Sequence, residues 1–183
     1  RALKKSIWEL NFEPDDSCEI VFSHLEKSEN YIVFPVNKSL LLKLKELLSE
    51  FDIFPSSFTF IENHFTDCKL QEDSTERLFI QVFEDYFELL VLGKSGIKLF
   101  NTFTYNTNND IIYYIISVFD RLKLAPADTK IVFSGFVNAD DNWFVTLKKF
   151  IAQVGVESQS INHNCFYRFN EIAPHYFYNF LNF

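Results

Sequence analysis

The stretch RLFIQVFEDYFELLVLGKSGIKLFNTFTYNTNNDIIYYII, Arg77 to Ile116, decides the fold, because its hydrophobic pattern changes from strand-like to helical along its length. Three apolar runs come first, and the third alternates between apolar and polar residues as a half-buried strand does. The loop GKSG, Gly93 to Gly96, predicts a tight hairpin between the second and third runs. The predicted strands are Leu78–Phe83, Phe87–Leu92 and Ile97–Tyr105.

A helix and a fourth strand follow these three strands. From Asn109 to Leu122 the apolar residues recur at helical spacing. Thr107 and Asp110 give the T-x-x-D pattern of a capping box at the start of that helix. A short apolar run at Ile131–Phe133 predicts the next strand, so the order is β-β-β-α-β.

The first part of the chain repeats this order. Lys38–Phe51 has the pattern of an amphipathic helix, with Asn37 as its N-cap. Its apolar residues precede those of the second helix by a constant 71 positions, as from Leu40 to Ile111. We expect this helix to bury its apolar face, which consists of Leu40, Leu41, Leu44, Leu47, Leu48 and Phe51.

The repeat also predicts the strands of the first part. Pro55 matches Pro126 at the same offset, and an apolar run follows each proline. The resulting strands are Ser6–Phe12, Cys18–Leu25, Tyr31–Val36 and Phe58–Ile61.

The polar segment KLQEDSTE, Lys69–Glu76, predicts a linker between the two parts. We therefore expect residues 1–70 to form a first half and residues 77–183 a second half. Because the chain opens on Arg1 and contains no Met, we also expect further sequence upstream of the first half.

The second half is predicted to continue beyond its fourth strand. A helix is expected at Asn142–Val154, where apolar residues share one face, and Gly155 would end it. A short strand at Gln159–Ile161 would follow.

The duplicated β-β-β-α-β order resembles the ribonuclease-H-like domains of the superfamily that contains actin and the sugar kinases. More closely, the stretch from Arg77 to Ile116, the run KLAPADTKIVFSG and the ending APHYFYNFLNF resemble an uncharacterised bacterial family of unknown function with an actin-like ATPase fold. The resemblance implies an α/β protein with two ribonuclease-H-like halves, in which helices pack on mixed sheets. It does not imply an activity.

The same resemblance locates a candidate nucleotide site. In active members of the superfamily, hairpins that contain glycine and an Asp hold the phosphates, and a glycine-rich turn lies along the adenosine. The matching hairpin here carries Glu84 and Asp85 but no glycine, and the matching turn is Ser134-Gly135. These four residues would bind ATP with Mg²⁺ if the site were active.

The glycine count argues against such a site. The chain contains 4 glycines. Two lie in the GKSG loop, and Gly155 is assigned to a helix end, which leaves Gly135 alone for a ligand. Close approach of backbone to a phosphate is easiest at glycine. We therefore expect a degenerate, non-catalytic relative with no cofactor and no catalytic residues, and the alternative hypothesis is a divergent ATPase or kinase.

Composition excludes several classes of function. A net charge of -8 disfavours nucleic acid as a partner. No apolar run approaches the about 20 residues that span a bilayer. The cysteines are 3 in number and widely spaced, so no disulfide framework or zinc motif is predicted, and we expect a reducing, cytoplasmic compartment.

Other groups of ligand-type residues have simpler explanations. Gly93-Lys94-Ser95 looks like the end of a P-loop, but Glu88 stands where that motif needs glycine. Asp140-Asp141 precedes a helix and predicts capping. No metal site is predicted, although two groups were considered: Glu62, His64, Asp67 and Cys68 in IENHFTDC, where Glu62 and His64 would share a face of a strand, and His163 with Cys165.

The C-terminal segment CFYRFNEIAPHYFYNFLNF is dense in aromatic residues. Phe177, Phe180 and Leu181 lie at helical spacing and are expected to pack on their own domain. The alternative is that the segment forms a surface for a protein partner.

Overall fold

The structure, a computed structural model, describes residues 15–70, 75–157 and 174–177. The chain divides into two compact units, Arg1–Glu62 and Asn63–Phe183. The sequence placed the boundary in Lys69–Glu76, and the assignment of two ribonuclease-H-like halves stays a prediction.

The first unit contains an antiparallel hairpin followed by a helix. Strands β1 (Cys18–Leu25) and β2 (Asn30–Asn37) pair along their whole length, which confirms two of the predicted strands. Helix α1 (Lys38–Leu47) begins directly after β2. Asn37 is its N-cap as predicted, since its side-chain oxygen accepts hydrogen bonds from the backbone N–H groups of the second and third following residues. The predicted strand Ser6–Phe12 lies outside the described residues.

The expectation that α1 buries its apolar face is wrong for half of the six residues of that face. Leu41 is buried, whereas Leu40, Leu47 and Leu48 are exposed. The helix also ends at Leu47, short of the predicted Phe51. The apolar spacing therefore predicted a helix correctly, but among the described residues only Leu41 of this helix is buried by the rest of the protein.

The predicted strand Phe58–Ile61 is also wrong, because these residues lie in helix α2 (Ser57–Leu70). A turn after Pro55 starts the helix, with the N–H of Phe58 donating to the carbonyl of Pro55 at 2.9 Å. Buried residues at Phe60, Ile61, His64 and Phe65 follow helical spacing. The short apolar run looked like a strand because four residues cannot separate the two periods.

The second unit is built on a mixed five-stranded sheet. Its strands are β3 (Arg77–Val82), β4 (Tyr86–Gly93), β5 (Gly96–Thr104), β6 (Lys130–Gly135) and β7 (Gln153–Val156). Their order across the sheet is β5-β4-β3-β6-β7. The pairs β3–β4 and β4–β5 are antiparallel, and the pairs β3–β6 and β6–β7 are parallel. The four strands predicted between Leu78 and Phe133 are confirmed, as is the hairpin at GKSG.

Two helices belong to this sheet. Helix α3 (Asn108–Leu122) starts at the predicted capping box, where Oδ2 of Asp110 accepts from the N–H of Thr107 at 2.8 Å. Helix α4 (Asn142–Leu147) is shorter than predicted. The chain turns after Leu147 and returns as β7, so Gly155 lies in a strand rather than at a helix end. Parallel pairing of β7 with β6 overrides the helical pattern there. The predicted strand Gln159–Ile161 lies outside the described residues.

The main core lies on one face of the sheet, beneath α3 and α4. It is formed by alternate residues of the central strands and by the inner faces of the helices, and includes Leu78, Ile80, Val82, Leu89, Ile115, Val118, Phe133 and Phe144. No helix within the described ranges has the length and apolar content that a membrane crossing requires.

Candidate functional site

The structure brings the four predicted nucleotide-site residues to one edge of the sheet. β3 and β6 run parallel and in register, with Val82 opposite Gly135. Glu84 and Asp85 form the tip of the β3–β4 hairpin that follows Val82, and both are exposed. Ser134 is buried, with 2% of its surface exposed. This edge, where parallel strands end, is where α/β proteins usually bind ligands.

Gly135 has a structural task at this edge, which the glycine count did not foresee. Its φ is +81°, a conformation that side chains disfavour. A Cβ added there would lie 2.1 Å from the carbonyl oxygen of Val82. The same oxygen accepts a hydrogen bond from the N–H of Phe136 at 2.8 Å. Close contact between β3 and β6 therefore accounts for this glycine without a ligand.

The hairpin that carries the two carboxylates is closed by its own residues. The N–H of Phe83 donates to the carbonyl of Tyr86 at 2.8 Å, and the hydroxyl of Tyr105 donates to the carbonyl of Phe83 at 2.6 Å. The rings of Phe83 and Tyr86 stack with centroids 4.4 Å apart. The N–H of Tyr105 also donates to the carbonyl of Asp85 at 3.0 Å. These backbone groups are thus engaged within the protein.

The electrostatics of this edge are negative. Burial first, and then the charges of Asp85 and Glu84, raise the pKa of the Tyr105 phenol. Burial, followed by the charges of Glu88 and Asp85, raises the pKa of Tyr86. Both phenols therefore stay neutral over the physiological range, and a triphosphate would meet repulsion here unless a cation accompanied it.

A buried polar row lies next to the same edge, and sequence reasoning missed it. Gln81 of β3 is in register with Glu88 of β4 and with Ser134 of β6. All three side chains are buried. Burial raises the pKa of the Glu88 carboxyl to about 7. The sequence did contain a signal for this row, because Gln81 and Glu88 are polar residues inside the largely apolar strands β3 and β4.

The predicted grouping in IENHFTDC does not form on a strand. Glu62 and His64 lie on α2, where two positions correspond to a rotation of about 200° about the helix axis, so their side chains project from nearly opposite sides. The ring of His64 stacks on Phe79 with centroids 4.0 Å apart, and burial lowers its pKa to about 3. Oε2 of Glu62 accepts from the N–H of Lys27 at 3.3 Å. Among the described residues, no three His, Cys, Asp or Glu side chains are grouped so that they could hold a metal ion. His163 and Cys165 lie outside the described residues.

The acidic pair before α4 behaves partly as predicted. Asp141 occupies the N-cap position, but its side chain makes no capping hydrogen bond. Its Oδ2 instead accepts from the indole Nε1 of Trp143 at 3.3 Å. Asp140 is exposed. The carboxylate of Asp141 is therefore explained by local structure.

A short part of the aromatic C-terminal segment is described. Residues Pro174–Phe177 form a 3₁₀ turn against β6. Nε2 of His175 donates to the carbonyl of Val137 at 2.8 Å, and the ring of Tyr176 lies 6.0 Å from that of Phe136. His175 and Tyr176 thus contact their own domain, whereas the side chain of Phe177 and the residues Phe180 and Leu181 lie outside the part of the chain that the structure describes.

Comparison with solved structures establishes the fold. The chain is similar to a protein from Bacteroides thetaiotaomicron with an actin-like ATPase fold and unknown function, with a TM-score of 0.78 and 19% identity. The match covers 99% of this chain and 65% of that protein, so the chain spans about two thirds of that protein's length. The predicted α/β class and actin-like ATPase fold are thereby confirmed. At this identity the likeness shows the fold alone.

Other similarities are weaker. YeaZ from Pseudomonas aeruginosa matches with a TM-score of 0.35 and 12% identity, over 48% of this chain and 44% of that protein. The Pelota protein of Thermoplasma acidophilum matches with a TM-score of 0.33 and 12% identity, over 79% of this chain and 45% of that protein. Both are too distant to support an argument. No curated protein matches the chain.

A family profile gives the remaining comparison. It belongs to DUF3822, described as a protein of unknown function, and it matches residues 3–154. That span is well over half of the 183 residues. The chain therefore belongs to the DUF3822 family.

Proposed function

We propose that this protein is a non-catalytic actin-like-fold protein that serves as a protein-binding or assembly module. The observation that carries the proposal is the closure of the β3–β4 hairpin. Its backbone groups at Phe83 bond to Tyr86 and Tyr105, and two aromatic rings stack at its base. A phosphate-binding hairpin needs accessible N–H groups on an unhindered backbone. This hairpin offers a backbone without glycine and two exposed carboxylates.

Exposed apolar side chains support the binding part of the proposal. On α1, Leu47 is 80% exposed, and Leu40 and Leu42 are at least half exposed. Phe54 is 54% exposed in the same unit. Several large apolar side chains in contact with water on one unit favour a surface for another protein. The aromatic C-terminal segment is a second candidate surface, and the bacterial cytoplasm is the compartment we propose.

A nucleotide titration tests the loss of catalysis. A ligand present at 100 times its dissociation constant stabilises the folded protein by about 2.7 kcal/mol. For a chain of this size, that would raise the melting temperature by roughly 5–10 °C. We expect thermal unfolding in millimolar Mg-ATP to show no such rise. A rise in the wild-type protein that disappears in Glu84→Gln or in Asp85→Asn would replace this proposal with the one below.

A divergent ATP-binding ATPase or kinase is the second candidate. One observation favours it: Glu84, Asp85, Ser134 and Gly135 meet at the same edge of the sheet. In that function one of the two exposed carboxylates would hold Mg²⁺ through water, and Ser134-Gly135 would line the base. The paired variants above test these roles directly, because both remove charge from exposed positions and leave the core unchanged.

A further inference from the structure

The buried polar row has a definite geometry. Glu88 lies between Gln81 of β3 on one side and Thr102 of β5 on the other, and Ser134 of β6 lies beyond Gln81. Residues in register on neighbouring strands project from the same face. This face is opposite the main core, since the core takes the alternate residues. Glu88 and Gln81 are 5% exposed and Ser134 is 2% exposed.

Glu88 lacks compensation from its neighbours. Its Oε2 and the hydroxyl of Ser134 form no hydrogen bond with any residue that the structure describes. Gln81 and Thr102, the residues in register with Glu88, carry no charge. A buried carboxylate without a charged partner is strongly disfavoured relative to the neutral acid.

The charged groups around this face do not change that balance. Arg77 and Lys130 are in register with each other, four residues before Gln81 and Ser134, which is about 13 Å along the strands. Lys98 of β5 pairs with Glu76.

Other titratable residues belong to the elements near this face. On β4 itself the phenol of Tyr86 is neutral. The part of α2 in the second unit carries His64, held neutral by burial, with Asp67, Cys68 and Lys69 further along the helix. Beyond β6 lie Glu157, which follows β7, and His175, which bonds to the carbonyl of Val137.

We propose that Glu88 is a proton-binding site that makes the packing of this sheet face depend on pH, with its carboxyl protonated when the face is closed. Loss of the proton to solvent would leave a buried carboxylate. Neighbouring strands do not cover a side chain that projects from the face of a sheet, so Glu88 becomes exposed only when the chain packed on this face moves away. Ionisation would therefore loosen the packing on this face, which includes the ring of His64 on Phe79. This inference does not depend on the proposed function.

The direction of the pH dependence follows from the two states of the chain. Burial raises the pKa of Glu88 from its ordinary value of 4.5 to about 7. Between these values the unfolded chain has lost the proton and the folded chain retains it. The contribution of Glu88 to stability is full below about pH 4.5, falls as the pH rises towards 7, and then levels off. The folded-to-unfolded ratio drops by about 300-fold over this range, tenfold for each pH unit.

Buried His64 acts in the opposite direction, so the test must be a comparison of variants. Because its pKa is lowered from 6.5 to about 3, its contribution to stability rises as the pH increases to 6.5. Both wild type and Glu88→Gln contain His64, so its contribution cancels when their stabilities are compared by urea unfolding at pH 4.5 and at pH 8. We expect the stability of Glu88→Gln relative to wild type to increase from pH 4.5 to pH 8 by about 150-fold in the folded-to-unfolded ratio, because the unfolded carboxyl is already half ionised at pH 4.5. Glu84→Gln, which changes an exposed carboxylate, should show no such increase. A pH-independent difference between Glu88→Gln and wild type would overturn the proposal.

A second measurement uses the wild-type protein and does not depend on the variant folding. The carboxyl carbons of the glutamates can be labelled with ¹³C and followed by NMR from pH 4 to pH 9. We expect one carboxyl to titrate near pH 7, well separated from the others. If every glutamate carboxyl titrates below about pH 5.5, Glu88 is not the proton-binding site that the geometry indicates.

Discussion

Replacing Gly135 with alanine tests whether this glycine serves the sheet or a ligand. Alanine at a φ of +81° costs about 1–2 kcal/mol. The new Cβ would also lie 2.1 Å from the carbonyl oxygen of Val82, so β3 and β6 must separate locally. Separation weakens the hydrogen bond from the N–H of Phe136 to that oxygen, which is worth about 1 kcal/mol. With overpacking of about 1–3 kcal/mol, Gly135→Ala should lower the free energy of unfolding by about 3–6 kcal/mol.

Gly155→Ala provides a matched control. The substitution is chemically the same, but within the described ranges no atom other than those of its chain neighbours lies within 4 Å of the added Cβ. Alanine should change stability there by less than about 1 kcal/mol, because only the entropy of the unfolded chain is altered. Urea unfolding followed by tryptophan fluorescence measures both variants. If Gly135→Ala lost no more stability than Gly155→Ala, close contact between the strands would not explain Gly135, and the glycine would again be available for a ligand.

Three further substitutions test particular contacts by urea unfolding. Tyr105→Phe removes the hydroxyl that bonds to the carbonyl of Phe83 and should cost about 1 kcal/mol; an unchanged midpoint would mean that this bond does not close the hairpin. Asp110→Ala removes the capping box and should cost about 1 kcal/mol, whereas Asp120→Ala on the same helix should cost less than about 0.5 kcal/mol; equal losses would argue against capping. Because burial lowers the pKa of His64 to about 3, wild type should lose up to about 5 kcal/mol relative to His64→Phe as the pH falls from 6.5 to 3, a comparison in which the opposite effect of Glu88 cancels; parallel curves would contradict this.

The parts of the fold that could be predicted are those whose local signals agree. The strands of the second half have long apolar runs separated by a glycine hairpin, and α3 has a capping box at the start of a helical pattern. The run Phe58–Ile61 was misassigned because it is short and lies in a helix whose buried face continues to Phe65. Gln153–Val156 was misassigned because pairing with β6, a contact distant in sequence, decides its conformation.

The four candidate residues came from the family resemblance, and their binding of a nucleotide stays a prediction. The structure brings them to one edge because β3 and β6 run parallel and in register. The task of Gly135 depends on how closely Val82 approaches it, a distance that no sequence pattern contains. The isolation of Glu88 likewise depends on which residues face it across the sheet. Which side chains face one another on neighbouring strands can be said only once the register of the strands is known.

The retention of an actin-like fold does not by itself imply retained ATP chemistry, and the location of the core explains why. The main core lies between α3, α4 and one face of the sheet, whereas the hairpin lies at the edge. The tip residues Glu84 and Asp85 are exposed and are not among the residues of that core. Here the hairpin also gains the stacking of Phe83 on Tyr86 and the bond from Tyr105, which stabilise a closed form. A sheet can therefore keep its shape while its edge becomes unsuited to phosphate, and the response to Mg-ATP, rather than the fold, separates the two functions.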